Sequence, residues 1–321
     1  MSVNTSELLR LPEQENMESN SSLLSETPQG WQPCMGTLAN EAHVRGRGLH
    51  TGRAVNVRIL PGKNDPFEGI VFQRTRGKRV VARMRVSPEQ WREHPLCSSL
   101  HLGGNMVART VEHLLAALLM CEIDTAVIEM DAEEVPFLDA SALEWTRLLR
   151  DCGRAALPRP KRFLKVLEPF SIKFAKARYR IAPADSCIIH GVTHEHDLER
   201  MEWHAAVTPE TFRTELAAAR SFGHARRIVP GLLANIFTKE PLLRGVFHAP
   251  GAVICNGKVV GGMRLPDEMV RHRVLDFIGD CAFLGAPILG TMLAHKPSHK
   301  WNHTFLNTFL DVKSAWCWAS C

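Results

Sequence analysis

"MVRHRVLDFIGD", residues 269 to 280, sets His272, Asp276 and Asp280 at steps of four within an otherwise largely apolar run. Val270, Val274, Phe277 and Ile278 can supply the apolar face of a helix. At about 100° per residue, the histidine and both aspartates share another side. That side is either a solvated polar face or a metal or proton-transfer site whose partners come from elsewhere in the chain.

The chain around this stretch has 321 residues, 45% of them hydrophobic. That is enough for one large domain or two of ordinary size. Its formal charge is +5, from 39 Lys plus Arg against 34 Asp plus Glu. The excess suits an anionic small molecule or surface, and it is too small and dispersed to indicate nucleic acid. Nine cysteines at irregular spacing, with no CxxC pair, read as reduced thiols of a cytoplasmic protein rather than a disulfide framework or zinc finger. No apolar run approaches membrane-spanning length, so stable membrane insertion is not expected. Residues 1–33 begin polar and acidic, which predicts a disordered leader.

Ordered structure is expected from about Gly36. "RAVNVRILPG", "GIVFQRT", "RVVARMRV" and "TAVIEMD" read as strands. "RTVEHLLAALLMC" has helical spacing, with Val111, Leu114, Leu115, Leu118 and Leu119 on one broad face. A second helix is expected over Ser141 to Cys152. "GRAALPRPKR" carries Gly153, Pro158 and Pro160 and reads as a domain boundary. Beyond it come strands near 162–168 and 178–190, a helix at 209–219, strands around 252–261, and the quoted helix. "ILGTMLAHKP" then reads as strand and turn, and "NHTFLNTFLDVKSAWCWAS" as a terminal helix. The order predicts two α+β domains, 34–155 and 160–321.

Two further stretches offer partners for the quoted helix. Glu112 and His113 adjoin at a helix start, either as ordinary helix-start residues or as a metal ligand beside a group that contacts its water. His295, His299 and His303 recur at steps of four, but Pro297 breaks any helix there, so His299 is expected on a loop.

Taken together, "GLHTG" (48–52), "TVEHLLAAL" (110–118), "PFLDASA" (136–142), "ARSFG" (219–223), "VRHRVLDFIGD" (270–280) and "HKPSHKWN" (295–302) resemble, in order, the zinc-dependent UDP-3-O-acyl-N-acetylglucosamine deacetylases of lipid A biosynthesis. The resemblance runs from about Gly36 to the C-terminus. It implies a two-domain α+β sandwich, each domain a sheet packed with helices, the helices of the two facing each other. It also implies Zn2+ held by His113, His272 and Asp276. Two imidazoles and a carboxylate suit that ion and leave a fourth position open.

The same resemblance makes Glu112 the general base and His299 a charged imidazole held by Asp280, with either His299 or Glu112 delivering the proton to the leaving amine. Ser221 becomes an oxyanion donor, standing where the family usually has threonine. Phe222 packs on the sugar, Arg273 replaces the usual lysine near the substrate, and Lys161 either approaches the nucleotide phosphates or is an ordinary solvated lysine of the basic linker. An insert at about 225–262, with Leu243, Val246, Phe247 and Val253, holds the acyl chain. Ala140 replaces a common glycine, and His50 and Asp139 support either the fold or the residues of the site rather than act as catalysts. The implied partner is a UDP-linked acylated N-acetylglucosamine, with a monomer as the default assembly. Arg273, Ser221 and the insert leave two alternatives: a related acylated amino sugar as substrate, or a silent acyl-binding scaffold.

Overall fold

The computed structural model describes residues 21–62, 69–195, 198–235, 237 and 240–321. The expected leader lies outside these residues over 1–20. Along Ala54–Pro61, Val55, Val57 and Ile59 are buried, while Ala54, Asn56 and Arg58 between them are exposed, as a strand with one wet face requires. It belongs to a five-stranded sheet ordered Ala42–Arg47, Ala54–Pro61, Ala126–Met130, Ile70–Arg76, Arg79–Arg85. Two helices, α1 (Glu112–Met120) and α2 (Leu143–Cys152), share its core.

The second sheet has eight strands. Within it Ile288–His295 pairs parallel with Arg162–Val166 and Cys187–His194 and antiparallel with Ala177–Ala182. A short α3 (Pro209–Thr211) runs into a π turn, Phe212–Leu216. Then follow α4 (Ala225–Ala234), α5 (Glu268–Cys281) and α6 (His299–Asp311). Strand Phe222–His224, α4 and strand Ala252–Cys255 form a small parallel βαβ unit, edged by Lys258–Val259.

α1 is buried on nearly every side, Leu114, Leu115, Ala116, Ala117 and Leu118 included, as expected of a helix clamped between two layers. Each large apolar side chain so buried contributes about 1.5–3 kcal/mol. On the opposite layer α5 contributes Val274, Leu275, Phe277 and Ile278 to the same contiguous core. The two helices touch backbone to backbone: a Cβ on Gly279 would stand 2.1 Å from the Glu112 carbonyl oxygen. The architecture is the two-domain α+β sandwich with facing helices.

Several elements differ from expectation, each because a distant strand supplies what local sequence did not. Ser21–Leu23 pairs parallel with Trp316–Ser320, and Trp31 is buried edge-on against Phe163, so residues 21–33 belong to the fold. The Pro-rich 154–160 segment is itself a strand, paired with Cys34–Leu38. Its prolines sit at a two-stranded edge, where a missing N–H is harmless. We propose 34–155 and 160–321 as the spans of the two domains, bridged by this strand. The 178–190 stretch is two strands broken at 183–186, and the terminal helix stops at Asp311 before a final strand, Trp316–Ser320.

Candidate active site

Because α5 carries His272 and Asp276 one turn apart, and α1 meets it at Gly279, three side chains converge between the layers. Asp276 Oδ1 lies 3.4 Å from both His113 Nε2 and His272 Nε2. That oxygen is buried and accepts no hydrogen bond. A buried carboxylate oxygen without a donor is costly, and a divalent cation among the three donors removes the difficulty. The His272 Nδ1–H donates to the Ala219 carbonyl at 3.1 Å, which turns the Nε2 lone pair toward the same point. Burial lowers the His272 pKa to about 4, so the ring is neutral, as ligation demands. The residues therefore fit a metal ion, with room for a fourth ligand. With the histidine and both aspartates of the quoted helix buried, the solvated-face alternative is excluded.

Glu112, 2% exposed, opens α1 beside this point. Its Oε2 accepts the Ser98 N–H at 3.0 Å, and its Oε1 lies 3.8 Å from His299 Nε2. Burial raises its pKa to about 7, with His299 and His113 pulling the other way. His299 begins α6 rather than riding on a loop, because Pro297 precedes the Ser298 N-cap, where it breaks nothing. Its Nδ1 donates to Asp280 Oδ2 at 3.0 Å. Burial opposes charge on this ring, but the carboxylates of Asp280 and Glu112 prevail and push its pKa up to about 10.

Asp280 is wholly buried yet fully solvated by protein. It accepts from Ser98 Oγ at 2.5 Å and from Asn302 Nδ2 at 2.7 Å, and His303 Nε2 lies 3.2 Å away. Burial works against its charge, but His299 and His303 hold it well below the usual carboxylate range. Tyr179 in turn donates to Asn302 Oδ1 at 2.6 Å. Nothing in the sequence marks Ser98, Tyr179 or Asn302 as members of this network, or His303 as a neighbour of Asp280. Only the spacing of Asn302 and His303 after His299 could have hinted at it.

The group opens into a cleft of about 750 Å³ lined in part by Phe137, Leu242, Leu243, Val246 and Val253. Ser221 and Phe222 also line it, with the Phe222 ring 6.0 Å from that of His272. Arg220 grips the buried Glu268 through Nε and Nη2, both at 2.9 Å, and so pins this segment to the start of α5. The Arg273 guanidinium lies 4.7 Å over the Phe222 ring, with Nη2 3.4 Å from Glu195 Oε1. Phe247 stands at the cleft's lip, 81% exposed. Ala140 adopts φ +68°, the left-handed region that favours glycine. His50 is buried, and Asp139 pairs with Arg264 at 2.6 Å and anchors Ser141.

Lys161 is not part of this cleft, and the expected phosphate contact is corrected. It is 0% exposed, with Nζ bonded to Asp124 Oδ1 at 2.5 Å and 5.4 Å over the Trp31 ring. Its charge is consumed by Asp124 at the joint between the layers, out of a ligand's reach.

Two imidazoles and a carboxylate around one point, with a second buried carboxylate beside them, belong to a metal-dependent amidohydrolase. Residues 35–311 match the family profile described as UDP-3-O-acyl N-acetylglycosamine deacetylase. Among curated relatives of that description, the protein of Syntrophus aciditrophicus (strain SB) is 31% identical over 288 residues, 88% of each chain. Those of Oleidesulfovibrio alaskensis (strain ATCC BAA-1058 / DSM 17464 / G20) and Anaeromyxobacter dehalogenans (strain 2CP-C) are each 34% identical, covering 86% and 87% of this chain and 88% of their own. The chain belongs to the UDP-3-O-acyl-N-acetylglucosamine deacetylase family. Among the described residues no helix is long and apolar enough to cross a membrane.

Proposed function

We propose that the protein hydrolyses the N-acetyl group of UDP-3-O-[(3R)-3-hydroxyacyl]-N-acetylglucosamine to the free amine and acetate, the committed step of lipid A biosynthesis. The observation that carries this reading is the unpartnered Asp276 Oδ1 between His113 and His272, facing an apolar cleft beside Glu112. We assign His113, His272 and Asp276 to zinc, which when bound would polarise the amide carbonyl and acidify water.

Glu112 accepts the proton of the attacking water, a task matched to a carboxylate whose burial has raised its affinity for protons. Protonated His299, oriented by Asp280, stabilises the oxyanion or supplies the proton that lets the amine leave. The Ser221 hydroxyl offers the oxyanion a further donor, and Phe222 and Arg273 place the sugar and its phosphates. Val246, Phe247 and their neighbours receive the acyl chain. Nine free cysteines support a reducing compartment, and we place the enzyme in the cytoplasm as a monomer.

A second reading is favoured by one observation. Arg273 is held by Glu195 and the Phe222 ring, and a planar guanidinium does not place a phosphate as an ammonium would. A related acylated amino sugar is then the substrate. Zinc content and acetate release, measured on the wild type and Glu112→Ala, decide between them. We expect one catalytic zinc per chain and a turnover that drops by about 10²–10⁴ in the variant with that zinc retained. Zinc without turnover on this substrate selects the second reading. Neither zinc nor turnover in folded protein refutes both.

A further inference from the structure

The mechanism leaves one buried cluster unused. His50 sits in the "GLHTG" turn, and His94 and Cys97 sit just ahead of strand Ser98–Gly103. One donor atom from each lies within 4.8 Å of the others, and all three residues are buried. His94 Nδ1 is 3.1 Å from Cys97 Sγ, and the His50 and His94 rings meet edge-on with centroids 4.6 Å apart.

Ordinary packing explains part of this, since a thiol donating to Nδ1 satisfies both Cys97 and His94. It does not explain His50, which is 0% exposed with an Nε2 that has no hydrogen-bond partner. Such orphaned buried nitrogens are rare in native folds. His94 is also already set for ligation. Its Nε2–H faces the Pro241 carbonyl at 3.4 Å, which leaves the Nδ1 lone pair toward the sulfur.

We propose that His50, His94 and Cys97 form a second divalent-metal site, distinct from the His113, His272 and Asp276 cluster and suited to a thiophilic ion such as zinc. Two imidazoles and a thiolate select zinc over magnesium or calcium, which take oxygen donors. With bonds of about 2.0–2.3 Å, a tetrahedral ion sets its ligand atoms roughly 3.3–3.7 Å apart, so the cluster needs to contract by only about 1 Å. As the metal–sulfur bond forms, the Cys97 thiol proton leaves to solvent, and both histidines bind neutral. Ligation through His50 Nε2 moves that ring's proton to Nδ1 and gives up the long 3.4 Å contact from the Leu243 N–H.

The ion would tie three segments together at the cleft wall. The "GLHTG" turn already receives the Arg244 N–H on His50 O at 3.1 Å and the Gly245 N–H on Leu49 O at 2.8 Å. Those donors belong to the segment that carries Leu242, Leu243 and Val246 into the cleft. His50 and His94 themselves line the cleft. Cys97 immediately precedes Ser98, whose N–H holds Glu112. Occupancy is thus reported to the wall that receives the acyl chain and to the base.

Cobalt tests this without relying on activity. Metal-stripped full-length protein is reconstituted with Co2+, and metal per chain is counted alongside the near-ultraviolet spectrum. The His113, His272 and Asp276 cluster contains no sulfur, so a thiolate-to-cobalt charge-transfer band reports the second site alone. We expect two cobalt ions per chain in the wild type, with a band that vanishes in Cys97→Ser and in His94→Ala but persists in His113→Ala. One ion per chain without the band, or a band that survives Cys97→Ser, overturns the proposal. Thermal melts confirm that each variant is folded, and His94→Ala serves if Cys97→Ser is not. Failure of the catalytic assignment reads differently: His113→Ala would then leave both the count and the band unchanged.

Discussion

Replacing Gly279 by alanine tests the contact that brings the active site together. The new Cβ would stand 2.1 Å from the Glu112 carbonyl oxygen, 2.7 Å from its carbonyl carbon and 3.0 Å from its Cα. All three are backbone atoms, so no rotamer change relieves the clash. Restoring an ordinary 3.4 Å contact requires α1 and α5 to separate by about 1.3 Å at this point. Overpacking of this kind costs about 3 kcal/mol at the upper end of its usual range. Alanine's better helix propensity returns about 1 kcal/mol, which leaves a net loss of about 2 kcal/mol. Glu112 and His113 ride on the displaced helix while His272 and Asp276 do not. A 1 Å misplacement lowers kcat by about 10²-fold. Urea midpoints, zinc content and kcat on the acylated nucleotide sugar measure the three effects. A variant about 1 kcal/mol more stable than wild type, with full zinc and unchanged kcat, would show that helix propensity dominates and that this contact does not set the site.

The pH profile of kcat/KM should be bell-shaped. In the proposed mechanism Glu112 acts unprotonated, so activity should rise with pH through a pKa that burial places at about 7 and that a bound cation draws lower. The same mechanism needs His299 protonated, so activity should fall as pH passes about 10. Asp280→Asn removes a carboxylate that supports that charge, and the alkaline limb should move to lower pH; a limb that stays put would remove His299 from the mechanism. Lys161→Met should destabilise the fold by about 3–5 kcal/mol, because it strands buried Asp124, with KM unaltered. A raised KM at unchanged stability would instead return Lys161 to the phosphates.

What the sequence determined by itself is the part carried by local periodicity and by side-chain chemistry at fixed spacing. The steps of four from His272 to Asp280 place three polar groups on one side of a helix whatever surrounds it. The run from Val111 to Leu119 makes a helix that must be buried. Ordered motifs of the right residue types then carry the resemblance and its ligand set. Tertiary structure alone decided whether that polar side faces water or a metal, because His113 lies far from His272 in the chain and meets it only through Gly279. Pairing across long separations made strands of 154–160 and 316–320, where prolines and tryptophans gave no local signal. It also turned Lys161 from an expected phosphate contact or solvated linker cation into a buried counter-ion for Asp124. Ser98 entered the site for the same reason: a serine on a strand has no distinguishing pattern until Asp280, from the opposite layer, is set against its hydroxyl.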